Sequence, residues 1–163
     1  MIRYGLILAA CLSLVACGGK TTESKKSVPV GPPQPLLNDF SCQISLAGAP
    51  SQLKVGGESE KITVKVVNDS AATWAAMLQG RNTIGVVNVA YHWSLDGQDV
   101  VEGERAFLKA DLVSKQAANV ELSVAPPPKE GNYVLRVEPV QEGVAWFSSL
   151  GGCKAEVPVK AVR

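Results

Sequence analysis

One run, Gly-Val-Val-Asn-Val-Ala-Tyr-His-Trp-Ser-Leu at positions 85–95, constrains this chain more than any other stretch. Val87, Val89, Tyr91, Trp93 and Leu95 share one parity, while Asn88, His92 and Ser94 fall on the other with Val86 and Ala90. A period of two over this length predicts a strand with one face in a core. It places Tyr91 and Trp93 inside and His92 outside. Asp96-Gly97 follows directly, the strongest hairpin signal in the chain. Residues 98–102 then return as a short partner, with a further short strand within 103–108.

The same alternation recurs. Phe40, Cys42, Ile44 and Leu46 form one face of a strand over 40–46, and 52–55 is a short edge piece. Ile62, Val64 and Val66 alternate with Lys61, Thr63 and Lys65, as a sheet with one solvated face requires. Val120, Leu122 and Val124 do so over 118–125, until Pro126-Pro127-Pro128 ends the strand. Strands over 132–140 and 153–161 complete the set. The connection 71–83 is the longest and most ambiguous; one or two helical turns over 71–79 would put Trp74 and Leu78 on one side. Seven to eight short strands, Gly/Pro turns and no long helix predict an all-β antiparallel sandwich.

The chain begins differently. Arg3 precedes an apolar run over 5–16 that ends in Leu14-Val15-Ala16-Cys17-Gly18. This resembles the bacterial lipoprotein signal. The resemblance implies cleavage after residue 16, lipid on Cys17 and, because Gly18 follows the cysteine, the outer membrane of a two-membrane bacterium, facing the periplasm. The alternative is a short uncleaved anchor, and the run is too short for a permanent bilayer span. Residues 17–37 read as a tether, flexible at first and stiffer through Pro29, Pro32, Pro33 and Pro35. The folded domain is then 38–163. Lys and Arg number 16 against 15 Asp and Glu, and Arg3 leaves with the signal. The remaining side chains balance, which excludes the basic field that nucleic-acid binding needs.

With Cys11 in the signal and Cys17 lipidated, Cys42 and Cys153 remain, in a compartment where disulfides persist. Both sit on the inward parity of their strands, and the first and last strands of such a sandwich lie close. The expected pairing is Cys42–Cys153; two unpaired buried thiols are the alternative.

Several stretches carry a further resemblance: Gly80-Arg81-Asn82-Thr83-Ile84-Gly85, Tyr91-His92-Trp93, Asp96-Gly97, 125–133 and Val140-Gln141-Glu142-Gly143-Val144-Ala145-Trp146-Phe147. Together they resemble a bacterial Ig-like accessory domain of the kind appended to surface-polysaccharide glycosyltransferases and methyltransferases. Ser114-Lys115-Gln116 and Lys129-Glu130-Gly131 depart from its usual Pro-Gly turns. The resemblance implies an Ig-like/fibronectin-like sandwich and a link to the envelope or its glycans. It supplies no catalytic residue.

The residues themselves argue against chemistry. His92 is the only histidine, so a metal site or histidine triad lacks partners. Ser94 sits in a strand without the glycines of a nucleophile elbow. Glu138 and Glu142 as a glycosidic pair is a weak reading. No catalytic residue, metal or cofactor is expected. In an Ig-type sandwich the loop before the central strand and the loop after residue 140 meet at one end. These loops carry Trp74, Arg81 and Asn82, and Gln141, Glu142, Trp146 and Phe147. Aromatic rings flanked by such polar groups can stack on a sugar and bond its hydroxyls, or form a protein hot spot. The expectation is a non-enzymatic, membrane-anchored carbohydrate-binding module, with a structural or assembly partner of another envelope protein as the alternative. The competing account of the two tryptophans is that they fold back and cap the core.

Overall fold

The computed structural model describes residues 31–163. Cys17, the signal segment and most of the tether lie outside the described residues. Among the described residues, nine strands form two sheets: β1 (Cys42–Ala47), β2 (Gln52–Lys54), β3 (Glu60–Asn68), β4 (Val87–Leu95), β5 (Gln98–Phe107), β6 (Ala117–Val124), β7 (Gly131–Gln141), β8 (Ala145–Trp146) and β9 (Ala155–Val162). One sheet runs β1-β3-β6; the other runs β2-β9-β7-β4-β5, with β8 added to β7. All pairs are antiparallel except β2 with β9. This is an Ig-like sandwich, with β4 between β7 and β5 in the larger sheet.

The inward parity of β4 is as the sequence predicts. Its two aromatics also tie the sheets together. Trp93 Nε1 donates to the Ala125 carbonyl at 2.9 Å, and the Ala125 amide donates to the Tyr91 hydroxyl at 2.9 Å. Both main-chain groups at the end of β6 are thereby satisfied from across the core. Tyr133, near the start of β7, is buried with its ring against Gly131. Asp96 and Gly97 both have positive φ, the requirement of the two-residue hairpin turn predicted there. The return is one ten-residue strand rather than two short ones, with two irregularities in its register with β4.

The disulfide joins Cys42 and Cys153, with Cα atoms 5.4 Å apart. It links the edge of the small sheet to the chain just before β9, which begins at Ala155 rather than at Cys153.

Three expectations are corrected. Residues 71–79 form no helix. Trp74 pairs with Leu112 through both main-chain groups, the Ala75 carbonyl accepts from Val87, the Ala76 amide donates to Asp111, and Asn68 bonds the Ala72 carbonyl. These groups are committed to tertiary partners, so none is left for an i→i+4 ladder. The last part of the tether is not free. Gly31 and Gln34 donate to the Gly80 and Ile84 carbonyls, and Leu37 is buried. His92, expected outside, is only 7% exposed. Its row of β4 faces away from the core, but a later loop covers it.

Candidate functional site

The two loops do meet at one end. Gly85 donates to the Glu142 carbonyl at 2.8 Å, and Glu142 donates to the Val86 carbonyl at 2.9 Å. Gln141 is fully buried beneath them. Its Nε2 donates to the carbonyls of Pro35 and Gly85, each at 3.0 Å, and its Oε1 accepts from the Leu37 amide at 3.2 Å. One side chain thus fastens three segments. Gly85 has φ +83°, and a Cβ there would lie 2.6 Å from the Gln34 carbonyl oxygen, so only glycine permits this approach.

Most of the residues expected to bind a ligand are used internally. Trp74 and Phe147 are fully buried and meet edge to face at 5.0 Å, with Phe40 against Phe147 at 5.0 Å. With Gln141 they support the apex from below, which corrects their expected place on the contact surface. Arg81 is held by Asp111 and also donates to the Ala76 carbonyl. The bond to Arg81, more than any other influence, draws the Asp111 pKa below its ordinary value, against the opposing effect of burial. Asn82 donates to the Gly31 carbonyl and accepts from the Ile84 amide. The capping account therefore describes Trp74, and Arg81 and Asn82 shape the loop.

Glu142 and Trp146 remain at the surface. Trp146 lies over the outer face of the large sheet, its ring 4.1 Å from the His92 ring and 4.9 Å from the Arg105 guanidinium carbon. The turn after it, Phe147–Leu150, places the Ser148 amide 2.8 Å from the buried Glu138 carboxylate. Arg105, on β5, also bonds Glu142 at 3.1 Å and Glu102 at 2.6 Å. Burial works against its charge, but these two bonds outweigh that and raise its pKa.

Beside this cluster lies a groove of about 360 Å³, lined by Met77, Thr83, Ile84, Asn88, Arg105, Phe107, Glu142 and Gly143. Asn88 and Phe107 are direct cross-strand partners. Ile84 and Phe107 are 45% and 55% exposed. Of these eight, the sequence reading expected only Glu142 to contact a ligand. The available signal was Asn88, a polar residue set between Val87 and Val89 at the start of β4.

No family model and no curated protein matches this sequence. Among solved structures, the chain is similar to the CARDB domain of PF1109 from Pyrococcus furiosus, with 16% identity, a TM-score of 0.45, and coverage of 75% of this chain and 94% of that one. A crystal structure of the same domain in complex with di-metal ions gives 15% identity, a TM-score of 0.45, and coverage of 76% and 93%. A chain of the CsuC–CsuE chaperone-tip adhesion subunit complex of Acinetobacter baumannii gives 16% identity, a TM-score of 0.29, and coverage of 74% and 51%. None is near enough to bring a function with it, and none points to the transferase-linked domains that the motifs resemble. Among the described residues, no group of three His, Cys, Asp or Glu side chains is placed to hold a metal ion.

Proposed function

We propose that the protein is a lipid-anchored binding module of the bacterial envelope, facing the periplasm from the outer membrane, that docks another envelope protein at its apex groove. It performs no chemistry of its own. One observation carries the choice of a protein over a glycan. The aromatic ring best placed to stack on a sugar, Trp146, already lies against His92 and Arg105. Two of the exposed apolar groups, Ile84 and Phe107, instead rim a groove with a polar floor. An apolar rim over a polar floor suits a protein side chain. Cys17 and the segment before it support the anchor.

The test pairs cross-linking in intact envelopes with a glycan array. The expected result is one cross-linked protein with the native chain, lost in Ile84→Asp/Phe107→Asp and kept in Val113→Asp, whose side chain is also exposed. Glycan binding that disappears in Trp146→Ala, with the fold intact, would overturn the protein reading in favour of the carbohydrate one.

A further inference from the structure

The apex is also where the chain leaves toward its anchor. Gly31, the first described residue, donates to the Gly80 carbonyl at 3.2 Å and accepts from Asn82 Nδ2, and Gln34 donates to the Ile84 carbonyl. The last part of the tether is therefore fixed on the end of the sandwich where β4 begins and β7 stops. At most about 50 Å of fully extended chain separates Gly31 from Cys17.

The three segments joined there, 31–37, 78–86 and 142–145, each expose a large apolar side chain: Leu36 at 67%, Leu78 at 40% and Val144 at 40%. None of the three lines the groove beside Asn88 and Phe107. The segments hold two charged residues, Arg81 and Glu142, and both are in ion pairs, with Asp111 and Arg105. Main-chain donors are used as well: the amides of Gln34, Leu37, Ile84, Gly85, Glu142 and Val144 all donate within the protein. Such a surface can leave water without stranding a charge or those donors. The other end of the sandwich differs. Its loops, 55–59, 96–97 and 125–130, expose Glu58, Asp96, Lys129 and Glu130, and among the described residues they contribute none of the exposed large apolar groups.

An exposed apolar surface marks contact with a protein or with lipid. The course of the chain decides between them for these three side chains. The tether holds this end, and not the charged one, near the bilayer, at an effective concentration that lets a few apolar side chains suffice. Resting on the lipid-anchored reading, we infer that the apex loops seat on the bilayer, with Leu36, Leu78 and Val144 entering the boundary between headgroups and acyl chains. The domain then stands apex down. Its groove opens at membrane level, so the docked protein is one embedded in, or lying on, the same membrane.

The experiment places the lipidated full chain on vesicles of phosphatidylethanolamine and phosphatidylglycerol. Leu36→Cys, Leu78→Cys, Val144→Cys and, at the far end, Lys129→Cys each carry a nitrobenzoxadiazole dye, and flotation establishes that the chain is on the vesicles. The three apex labels are expected to shift to the blue and to be screened from iodide, while the Lys129 label does neither. Proximity alone does not remove water from a dye, so adding Leu36→Asp and Val144→Asp is expected to return the Leu78 label to its aqueous emission. Aqueous emission from the apex labels of a floating chain would overturn the inference and leave the anchored and docking readings standing. A blue shift at the Lys129 label, or one at Leu78 that survives the two aspartates, would also overturn it. A chain that does not float takes down the anchored reading, and the inference with it.

Discussion

Gly103 offers the sharpest test of how the core is built. It sits on β5 where the register shifts, between the pairs Ala90–Arg105 and His92–Glu102. The ring of Tyr91 lies across it. A Cβ at this position would stand 2.5 Å from Tyr91 Cδ1, and closer still to Cε1 and Cζ. The ring has little freedom to retreat: Tyr91 is 2% exposed, meets Trp93 at 6.1 Å, and its hydroxyl accepts from the Ala125 amide. Gly103→Ala therefore forces overpacking, at about 1–3 kcal/mol. Displacing the hydroxyl strands a buried amide, at about 1–3 kcal/mol more. Against this, alanine loses less chain entropy than glycine on folding, which returns about 0.5–1 kcal/mol. The net expectation is a loss of about 3 kcal/mol, or roughly 10 °C in melting temperature for a domain of this size. Urea unfolding followed by tryptophan fluorescence measures it. The control is a Tyr91→Leu background, in which the smaller side chain makes room, so that introducing Gly103→Ala there costs less than about 1 kcal/mol. A loss below about 1 kcal/mol in the native background, or the same loss in both backgrounds, refutes the argument that the ring and the glycine were fitted to each other.

Replacing both Cys42 and Cys153 by Ala opens a covalent loop of sequence separation 111, and chain entropy puts the loss at about 4–5 kcal/mol; a reductant should lower the native melting temperature by the same amount and leave the variant unchanged. Gln141→Leu leaves the Leu37 amide and two carbonyls without partners, an expected loss of about 2–4 kcal/mol, and hydrogen exchange at Leu37 should quicken more than at Trp93. Asp111 has a depressed folded pKa, with Arg81 as the leading cause. Its contribution is present above the unfolded value, about 3.9, and is lost as pH falls through the lower folded value. The melting-temperature gap between native chain and Asp111→Asn should be widest above about pH 5 and close as the carboxylate protonates; a gap constant with pH refutes the pairing.

What could be read from the sequence was the part that depends on local periodicity. The parity of Tyr91 and Trp93, the Asp96-Gly97 turn and the inward placement of Cys42 each follow from residues within a few positions. The errors arise where distant segments decide. Alternation marks which face of β4 is apolar, but cannot show that Trp146 will fold over the opposite face and bury His92. Residues 71–79 carry enough helix-forming alanines for a turn, yet Leu112, Val87 and Asp111 claim their main-chain groups. Arg81 and Asn82 looked like ligand contacts because polar loop residues often are; here the polar groups of the loop are needed to hold its own shape. The groove is the least legible feature, since it requires Asn88 on β4, Phe107 on β5 and Ile84 from the connection to be brought side by side.

Asn88 carries a cost in stability. Its nitrogen supports Glu142, but its oxygen is buried without a partner among the described residues, and such an orphan costs about 1–3 kcal/mol. Arg105 already holds Glu142, so the fold does not depend on Asn88 for that. An apolar residue of similar volume at position 88 would continue the packing of β4 and leave nothing unsatisfied. The apex is assembled from separate stretches whose main-chain groups are bonded to one another, so the groove exists before any ligand arrives. A ligand entering it need order little of the protein, and little binding free energy is lost to shaping the site.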